Sequence, residues 1–239
     1  MKKMSVLMFS IVSFFTLTGC NRVAGELNAT QAAELFTEQL IHENARGRFD
    51  EQFVDGEHLA QSMAQVGEHV SESFFDDFVL EGAVIDESTR DELVALMKAR
   101  LPQTHFRVLP RVDTDFPDYE TVEYQIFGLD YMSLMQAVGG DLVQAMDENR
   151  EIIHLPQEMM NITIESLRTH IPQMIASTTG VYTELRFFQE YDGRWHIAPH
   201  QEEAIRTMFL SFLTGTADEQ SLNERVEEAL GRVYQTIQE

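Results

Sequence analysis

The sequence predicts an α+β domain in which a small curled antiparallel sheet of about four strands packs with helices. Three observations support this fold class. Apolar residues recur at helical spacing over most of the first 100 positions. Valine, isoleucine, threonine and aromatic residues are then concentrated in two regions, 104–129 and 181–199. With 44% hydrophobic and 10% aromatic residues, the chain has enough apolar material for a folded core.

The first 20 residues contain the clearest motif of the chain. Lys2 and Lys3 precede a continuously apolar or small run over residues 4–17. This run is shorter than the roughly 20 residues that a membrane-spanning helix needs, and its order predicts a secretory signal peptide. The run ends in the sequence Leu-Thr-Gly-Cys at residues 17–20, and Cys20 is the single cysteine of the protein.

The Leu-Thr-Gly-Cys stretch resembles the lipobox of bacterial lipoprotein precursors. The resemblance implies that the Cys20 thiol is diacylglycerated and that residues 1–19 are removed as a lipoprotein signal peptide. Cys20 would then be the lipidated N-terminus, with residues 20–28 as a short tether, on the extracytoplasmic face of the cell membrane. An uncleaved helix with a chance cysteine is the alternative interpretation.

The chain is strongly acidic, with 17 Lys and Arg against 40 Asp and Glu, a formal net charge of −23. Loss of Lys2 and Lys3 with the leader would make this −25. Such a charge repels nucleic acid, so we exclude that class of partner. It also repels anionic lipid head groups, which leaves the acyl chains on Cys20 as the expected membrane attachment. Solubility explains the charge most simply, and a cationic partner is the alternative.

Helical periodicity predicts three helices in the first half of the chain, over residues 28–46, 59–78 and 89–101. Asn28 is the expected N-cap of the first helix, and the helix is expected to end at Arg46-Gly47. Gly82 is expected to close the second. Thr89 and Glu92 have the spacing of a capping box at the start of the third.

The second half alternates between strands and helices, and residues 29–239 are predicted to form a single α+β domain. The predicted strands are 104–112, 120–129, 181–191 and 195–199. Helices at 132–146 and about 156–175 form a two-helix insertion between the strand pairs, over about 132–176. Helices at 201–213 and about 221–238 close the chain, the last with a capping box at Ser221–Glu224.

The last hairpin allows its strand register to be predicted. A three-residue loop at Tyr191–Gly193 pairs Gln189 with Trp195 and places Leu185 and Phe187 with Trp195 on one buried face. A two-residue Asp-Gly loop would put Trp195 on the opposite face from Phe187. We therefore expect the three-residue loop.

The segment 186–197, RFFQEYDGRWHI, resembles the last hairpin of nuclear-transport-factor-2-like, cystatin-like domains in many bacterial lipoproteins of unknown function. Residues 47–50, Gly-Arg-Phe-Asp, resemble the segment that follows the first helix of those domains. The resemblance implies a curled sheet wrapped around helices. Because enzymes and pure binding modules both use this shape, the fold does not decide the function.

No motif for catalysis or metal binding stands out, since the chain has no phosphate loop, G-x-S-x-G, H-E-x-x-H or C-x-x-C. We therefore predict no catalytic residue, metal site or cofactor. On one helix, His58 and His69 would lie about 16 Å apart, too far to share an ion. His196 and His200 could converge only by accident of the fold. Asp113–Asp118 lacks the glycine and distal glutamate of a calcium loop.

Together these patterns predict a membrane-anchored extracytoplasmic lipoprotein that is a non-enzymatic binding module for a small apolar ligand, a peptide or an envelope protein. Six methionines between residues 132 and 174 are expected in the core, or around a cavity if the insertion covers the open sheet face. One alternative is a hydrolase or isomerase with a carboxylate or histidine in a cone-shaped cavity, which needs a buried titratable pair such as an acidic residue facing Tyr124 or Tyr131. A structural spacer or transporter accessory protein is the other.

Overall fold

The computed structural model describes residues 27–43, 45–76, 79–111, 118–218, 220–224, 226 and 231. The helices are α1 (Ala29–His42), α2 (Arg46–Gln52), α3 (Gly56–Asp76), α4 (Glu87–Lys98), α5 (Tyr131–Glu148), α6 (Pro156–His170) and α7 (Glu202–Thr214). The strands are β1 (His105–Arg111), β2 (Glu120–Phe127), β3 (Val181–Gln189) and β4 (Trp195–Ile197). The predicted leader, Cys20 and most of the predicted helix 221–238 lie outside the described residues, although 220–224 are helical.

The four strands form one antiparallel sheet in the order β1-β2-β3-β4, which is not closed into a barrel. The α+β prediction is therefore confirmed. The alternate residues Val122, Tyr124 and Ile126 of β2 are fully buried. Helices α1 and α7 pack against the sheet and cover this inward face. The neighbours in sequence on β2 point to the opposite, outward face, as the period of two requires.

The last hairpin has the predicted register. Gln189 pairs with Trp195 and Phe187 pairs with Ile197, and Gly193 takes the left-handed conformation, with φ of 87°, that the three-residue loop requires. Leu185, Phe187 and Trp195 are all buried on the inward face.

Four phenylalanines join the hairpin to the helices. Phe49 of α2 stacks on Phe53 with ring centroids 4.4 Å apart, and Phe36 of α1 meets the ring of Phe187 edge-on at 5.8 Å. All four side chains are inaccessible to solvent. Burial of a phenylalanine contributes about 1.5–3 kcal/mol, so this cluster holds α1 and α2 against β3.

The first helix ends four residues earlier than predicted. Its C-cap is Glu43, whose backbone is left-handed with φ of 52°, and residues from Arg46 onward form the separate helix α2. The separate helix allows Phe49 to turn into the core. Gly82 does not end α3, which finishes at Asp76, but occupies a turn with φ of 86°.

Aspartate side chains cap three helices, and each is completed by a hydroxyl three residues later. The pairs are Asp86 with Thr89, Asp130 with Ser133, and Asp218 with Ser221. In each pair the carboxylate accepts a hydrogen bond from both the backbone N–H and the hydroxyl of the later residue. The predicted capping boxes at Thr89 and Ser221 are therefore wrong. A carboxylate forms stronger, charge-assisted hydrogen bonds and complements the helix dipole, so the upstream aspartate takes the cap.

The two-helix insertion packs on other helices rather than over the outward face of the sheet. Helices α5 and α6 contact each other, and α4 and α7 lie beside them. Helix α6 ends at His170 rather than near Ile175, because Pro172 cannot continue it, and Ile171–Gln173 form a 3-10 turn. Five of the six methionines are buried in the interior: Met135, Met146, Met159, Met160 and Met174.

Candidate functional site

The β4 side of the sheet is closed by the protein's own chain. The C=O of Trp195 accepts a hydrogen bond from the N–H of Val54 at 3.0 Å. Where β4 has ended, the buried amide of Gln201 continues the pairing of β3. Its Oε1 accepts from the N–H of Arg186 at 2.8 Å, and its Nε2 donates to the C=O of Arg186 at 2.7 Å. Edges closed in this way cannot accept a further strand.

The β1 side is different, because in the described part of the chain β1 has a strand on one side only. Successive residues of an antiparallel strand direct their backbone groups to alternate sides. Arg186 directs its N–H and C=O toward the β4 side, so Thr121, which lies opposite it on β2, faces β1. Arg111 pairs with Thr121. The intervening residues of β1 therefore direct their backbone groups to the free edge: Phe106, Val108 and Pro110.

Pro110 is consistent with this assignment. Proline has no N–H and is tolerated in a strand where that position faces away from the sheet. It is also the sequence signal for the edge, since a proline inside a predicted strand places that strand at the border of a sheet. The sequence patterns alone did not predict the groove that accompanies the edge.

A groove of about 870 Å³ lies between α1 and β1. One wall is formed by α1, which contributes Glu34, Leu35 and Glu38. The other wall is the segment 104–108, which includes the half-buried side chains of Phe106 and Val108. Arg48, His105 and Arg107 also line it. The groove thus has a partly apolar floor, an acidic α1 wall and basic side chains at its β1 side. We call it the α1–β1 groove.

The outward face of β1 is basic, in contrast to the acidic protein. His105 stacks on the ring of Phe127 with centroids 4.6 Å apart, and the guanidinium of Arg107 lies 5.9 Å from the centre of the same ring. Arg111 forms an ion pair with Glu184 of β3. No acidic residue occurs on β1. On a chain of net charge −23, this strand is an exception.

The structure brings one serine, aspartate and histidine together, but not as a catalytic triad. The Oγ of Ser166 donates to Oδ2 of Asp141 at 2.5 Å, and Nε2 of His170 lies 3.0 Å from the same oxygen. In a hydrolase triad the serine donates to the histidine, which the carboxylate then orients. Here the carboxylate holds both groups, so the arrangement does not activate the serine.

The enzyme alternative needs an acidic side chain paired with Tyr124, but the Tyr124 hydroxyl bonds to the backbone instead. This hydroxyl donates to the C=O of Ala33 at 3.0 Å, and burial raises the pKa of the phenol far above its ordinary value. A phenol in this environment stays protonated at any physiological pH. Its hydrogen bond ties β2 to α1.

The other residues singled out from sequence and described by the structure are exposed or held by local neighbours. Cys20 and Asp113–Asp115 lie outside the described residues. His196 stacks on Phe188 at 4.5 Å and contacts Glu190 at 2.7 Å, and His58 and His200 are exposed. Within the ranges that the structure describes, no group of three histidine, cysteine or acidic side chains could hold a metal ion. Nor is any described helix long and apolar enough to cross a membrane.

Comparison with known proteins gives one match, to a solved structure. The sequence matches no protein-family model, and it matches no curated protein. The fold is similar to that of a putative lipoprotein (ycdA) from Bacillus subtilis subsp. subtilis str. 168, with 12% sequence identity and a TM-score of 0.53. The match covers 77% of this chain and 55% of that one, so the chain spans about half the length of its structural neighbour. At this identity the likeness shows a shared fold.

Proposed function

We propose that the protein is an extracytoplasmic lipoprotein, anchored in the cell membrane through Cys20, that binds a polypeptide partner in the α1–β1 groove. The observation that carries the binding role is the β1 edge. Among the described residues this edge has no strand beside it and borders an open groove, while the opposite edge is closed by the chain. The lipobox-like sequence supports the anchor, and so does the fold shared with a putative lipoprotein. We also propose, from the resemblance of the last hairpin, that the domain is of the nuclear-transport-factor-2-like, cystatin-like type.

The short tether limits where the partner can be. Nine residue steps separate Cys20 from Ala29, the first residue of α1. A fully extended chain spans about 3.3–3.6 Å per residue, so α1 begins within about 30 Å of the lipidated residue. Gln31, in the first turn of α1, already lines the groove. The partner is therefore expected in the membrane or close to its surface.

The shape of the groove favours a polypeptide over a small apolar ligand. Small-molecule sites are enclosed and lined mainly by apolar side chains. The α1–β1 groove is open and carries Glu34, Glu38 and Arg48 around its rim. Backbone groups along one wall offer hydrogen bonds that an extended chain can use, which a compact apolar ligand cannot.

Photo-cross-linking in cells tests the proposal. A benzophenone amino acid replaces Gln31 or Arg48, two exposed residues of the groove. Matched controls carry it at Val84 or Ile175, which are 70% and 65% exposed and do not line the groove. We expect the groove variants to trap a discrete membrane-associated partner that the controls do not. Equal cross-linking from all four positions, or none from the groove, would contradict the proposed binding role.

A further inference from the structure

We propose that the partner binds by strand addition: an extended segment that alternates apolar and acidic residues pairs with β1 and becomes the fifth strand of the sheet. This inference rests on the proposed function and specifies the chemistry of the partner. It combines three observations on β1, namely the direction of its backbone groups, the different character of its two faces, and its charge.

The backbone supplies the attachment. Phe106 and Val108 direct their N–H and C=O groups to the free edge, and Pro110 adds a C=O there. Within the described chain, no strand takes up these groups. The opposite edge is closed by Val54 and by the amide of Gln201. An added strand would give these backbone N–H and C=O groups of β1 the hydrogen bonds that the inner strands of the sheet already form.

The two faces of β1 specify alternate side chains on the added strand. On the inner side, an incoming residue meets Leu35 and the half-buried Phe106 and Val108. On the outer side, it lies beside His105 and Arg107. Side chains of neighbouring strands share a face at each paired position, so apolar residues fit inside and acidic residues fit outside.

The α1 wall of the groove is acidic, although Arg48 also lines the groove, and this wall favours the outer side for the acids of the added strand. Glu34 and Glu38 would repel carboxylates on the inner side of the groove. On the outer side, Arg107 lies over the ring of Phe127 and forms no ion pair with a described carboxylate. An acidic side chain opposite β1 would provide that partner.

Charge also argues against a second copy of the chain as the occupant. Antiparallel pairing of two β1 strands about Val108 would set Arg111 opposite His105 of the other copy, with no acidic residue on either strand. Like charges directly opposite each other destabilise a strand pair, so the favoured occupant is a different, acidic segment.

A synthetic peptide tests this inference in vitro. It has seven residues, the length of β1, alternating valine and glutamate from a valine at each end, and its binding is followed by fluorescence anisotropy. Two modified peptides carry backbone N-methyl groups on all valines or on all glutamates. The two sets of amides point to opposite edges of an extended chain, so only one set can face β1.

We expect the unmodified peptide to bind and one N-methylated form to lose about tenfold or more in affinity, while the other form binds normally. Antiparallel addition pairs the valines with Phe106 and Val108, so it predicts loss for the valine-methylated form. Parallel addition predicts loss for the glutamate-methylated form. Because the protein is unchanged, altered folding cannot produce this difference. Equal affinities for both forms, or no binding of the unmodified peptide, would overturn the inference.

The charge requirement is tested by reversing one cation. Arg107→Glu is expected to weaken the peptide by about tenfold at low salt. Arg150→Glu, which makes the same charge change at an exposed residue away from the sheet, is expected to leave affinity within about twofold. Equal effects of the two variants would refute the acidic preference at β1.

Failure of this inference and failure of the proposed function give different results. Cross-links from the groove combined with equal binding of both methylated peptides would keep the binding role and reject strand addition. Absence of groove cross-links in cells, with one methylated form selectively impaired, would keep strand addition as a property of the edge and reject the cellular role.

Discussion

The amide of Gln201 offers a direct measure of how the β4 edge is closed. Gln201→Ala removes three hydrogen bonds at once: one from the N–H of Arg186, one to its C=O and one to the C=O of Ala198. The side chain is 7% exposed, so water cannot readily replace it. The C=O of Arg186 keeps one bond, from the N–H of Ala198 at 2.9 Å.

The loss falls mainly on the N–H of Arg186. A donor left unsatisfied in the interior costs about 1–3 kcal/mol, and each ordinary hydrogen bond contributes about 0.5–1.5 kcal/mol. Because one carbonyl keeps a partner, we expect Gln201→Ala to lower the free energy of unfolding by about 2–4 kcal/mol. That loss is a large share of the free energy of unfolding of a typical domain, which is about 5–15 kcal/mol.

Urea unfolding followed by tryptophan emission provides the assay. Trp195 is the single tryptophan of the chain, is 1% exposed, and lies in the same hairpin. Gln173→Ala is the matched control, since this exposed amide donates only locally, to the C=O of Thr169 at 2.9 Å. It should change stability by less than about 0.5 kcal/mol. If Gln201→Ala were equally mild, the amide would not be closing the sheet edge.

Three further predictions concern the core and the caps. Gly128→Ala should prevent stable folding, because its Cβ would lie 1.9 Å from the carbonyl oxygen of Ser211. Gly140 has open space around it, so Gly140→Ala should stabilise α5 by about 0.5–1 kcal/mol. Thermal unfolding compares the two variants. Phe187→Ala should cost about 3–5 kcal/mol in urea unfolding, and a loss below about 1 kcal/mol would contradict the packing described. The hydrogen bond from the Thr89 N–H lowers the pKa of Asp86, so this cap stabilises fully above the ordinary aspartate pKa of 3.8 and is lost as pH falls through the lowered value. Asp86→Asn should flatten that acid dependence, and an unchanged pH profile of stability would refute it.

Local patterns predicted the parts of the fold that depend on neighbours in sequence. The hairpin register follows from loop length and a period of two, so the pairing of Phe187 with Ile197 could be derived. The alternation of buried and outward residues on β3 could be predicted from the sequence for the same reason.

Other features depend on competition or on distant contacts. A hydroxyl three residues before a glutamate looks like a capping box at Thr89, yet the stronger carboxylate of Asp86 takes the cap. Asp86 stands three residues before Thr89 in the sequence, but the pattern alone does not tell which of the two competing caps forms. Helix α2 brings Phe49 against Phe36 of α1, and this is a tertiary contact that the local sequence does not show.

The candidate site was the least predictable part. Leu35 and Val108 line one groove, although 73 positions separate them. Pro110 could have marked β1 as an edge strand, but not which helix would lie beside it. The closure of the other edge depends on Gln201, an unremarkable glutamine in sequence, whose role appears only once β3 and the start of α7 are brought together.

The anchor at Cys20 underlies the location, the reach and the class of partner proposed for this protein, and mass spectrometry of the purified N-terminus tests it most directly. Trypsin would release Cys20 with Asn21 and Arg22 as the first peptide of a processed chain. We predict this peptide with a diacylglyceryl group on the Cys20 sulfur and no peptide from residues 1–19. Unmodified Cys20, or leader peptides retained in the membrane-derived protein, would contradict the account.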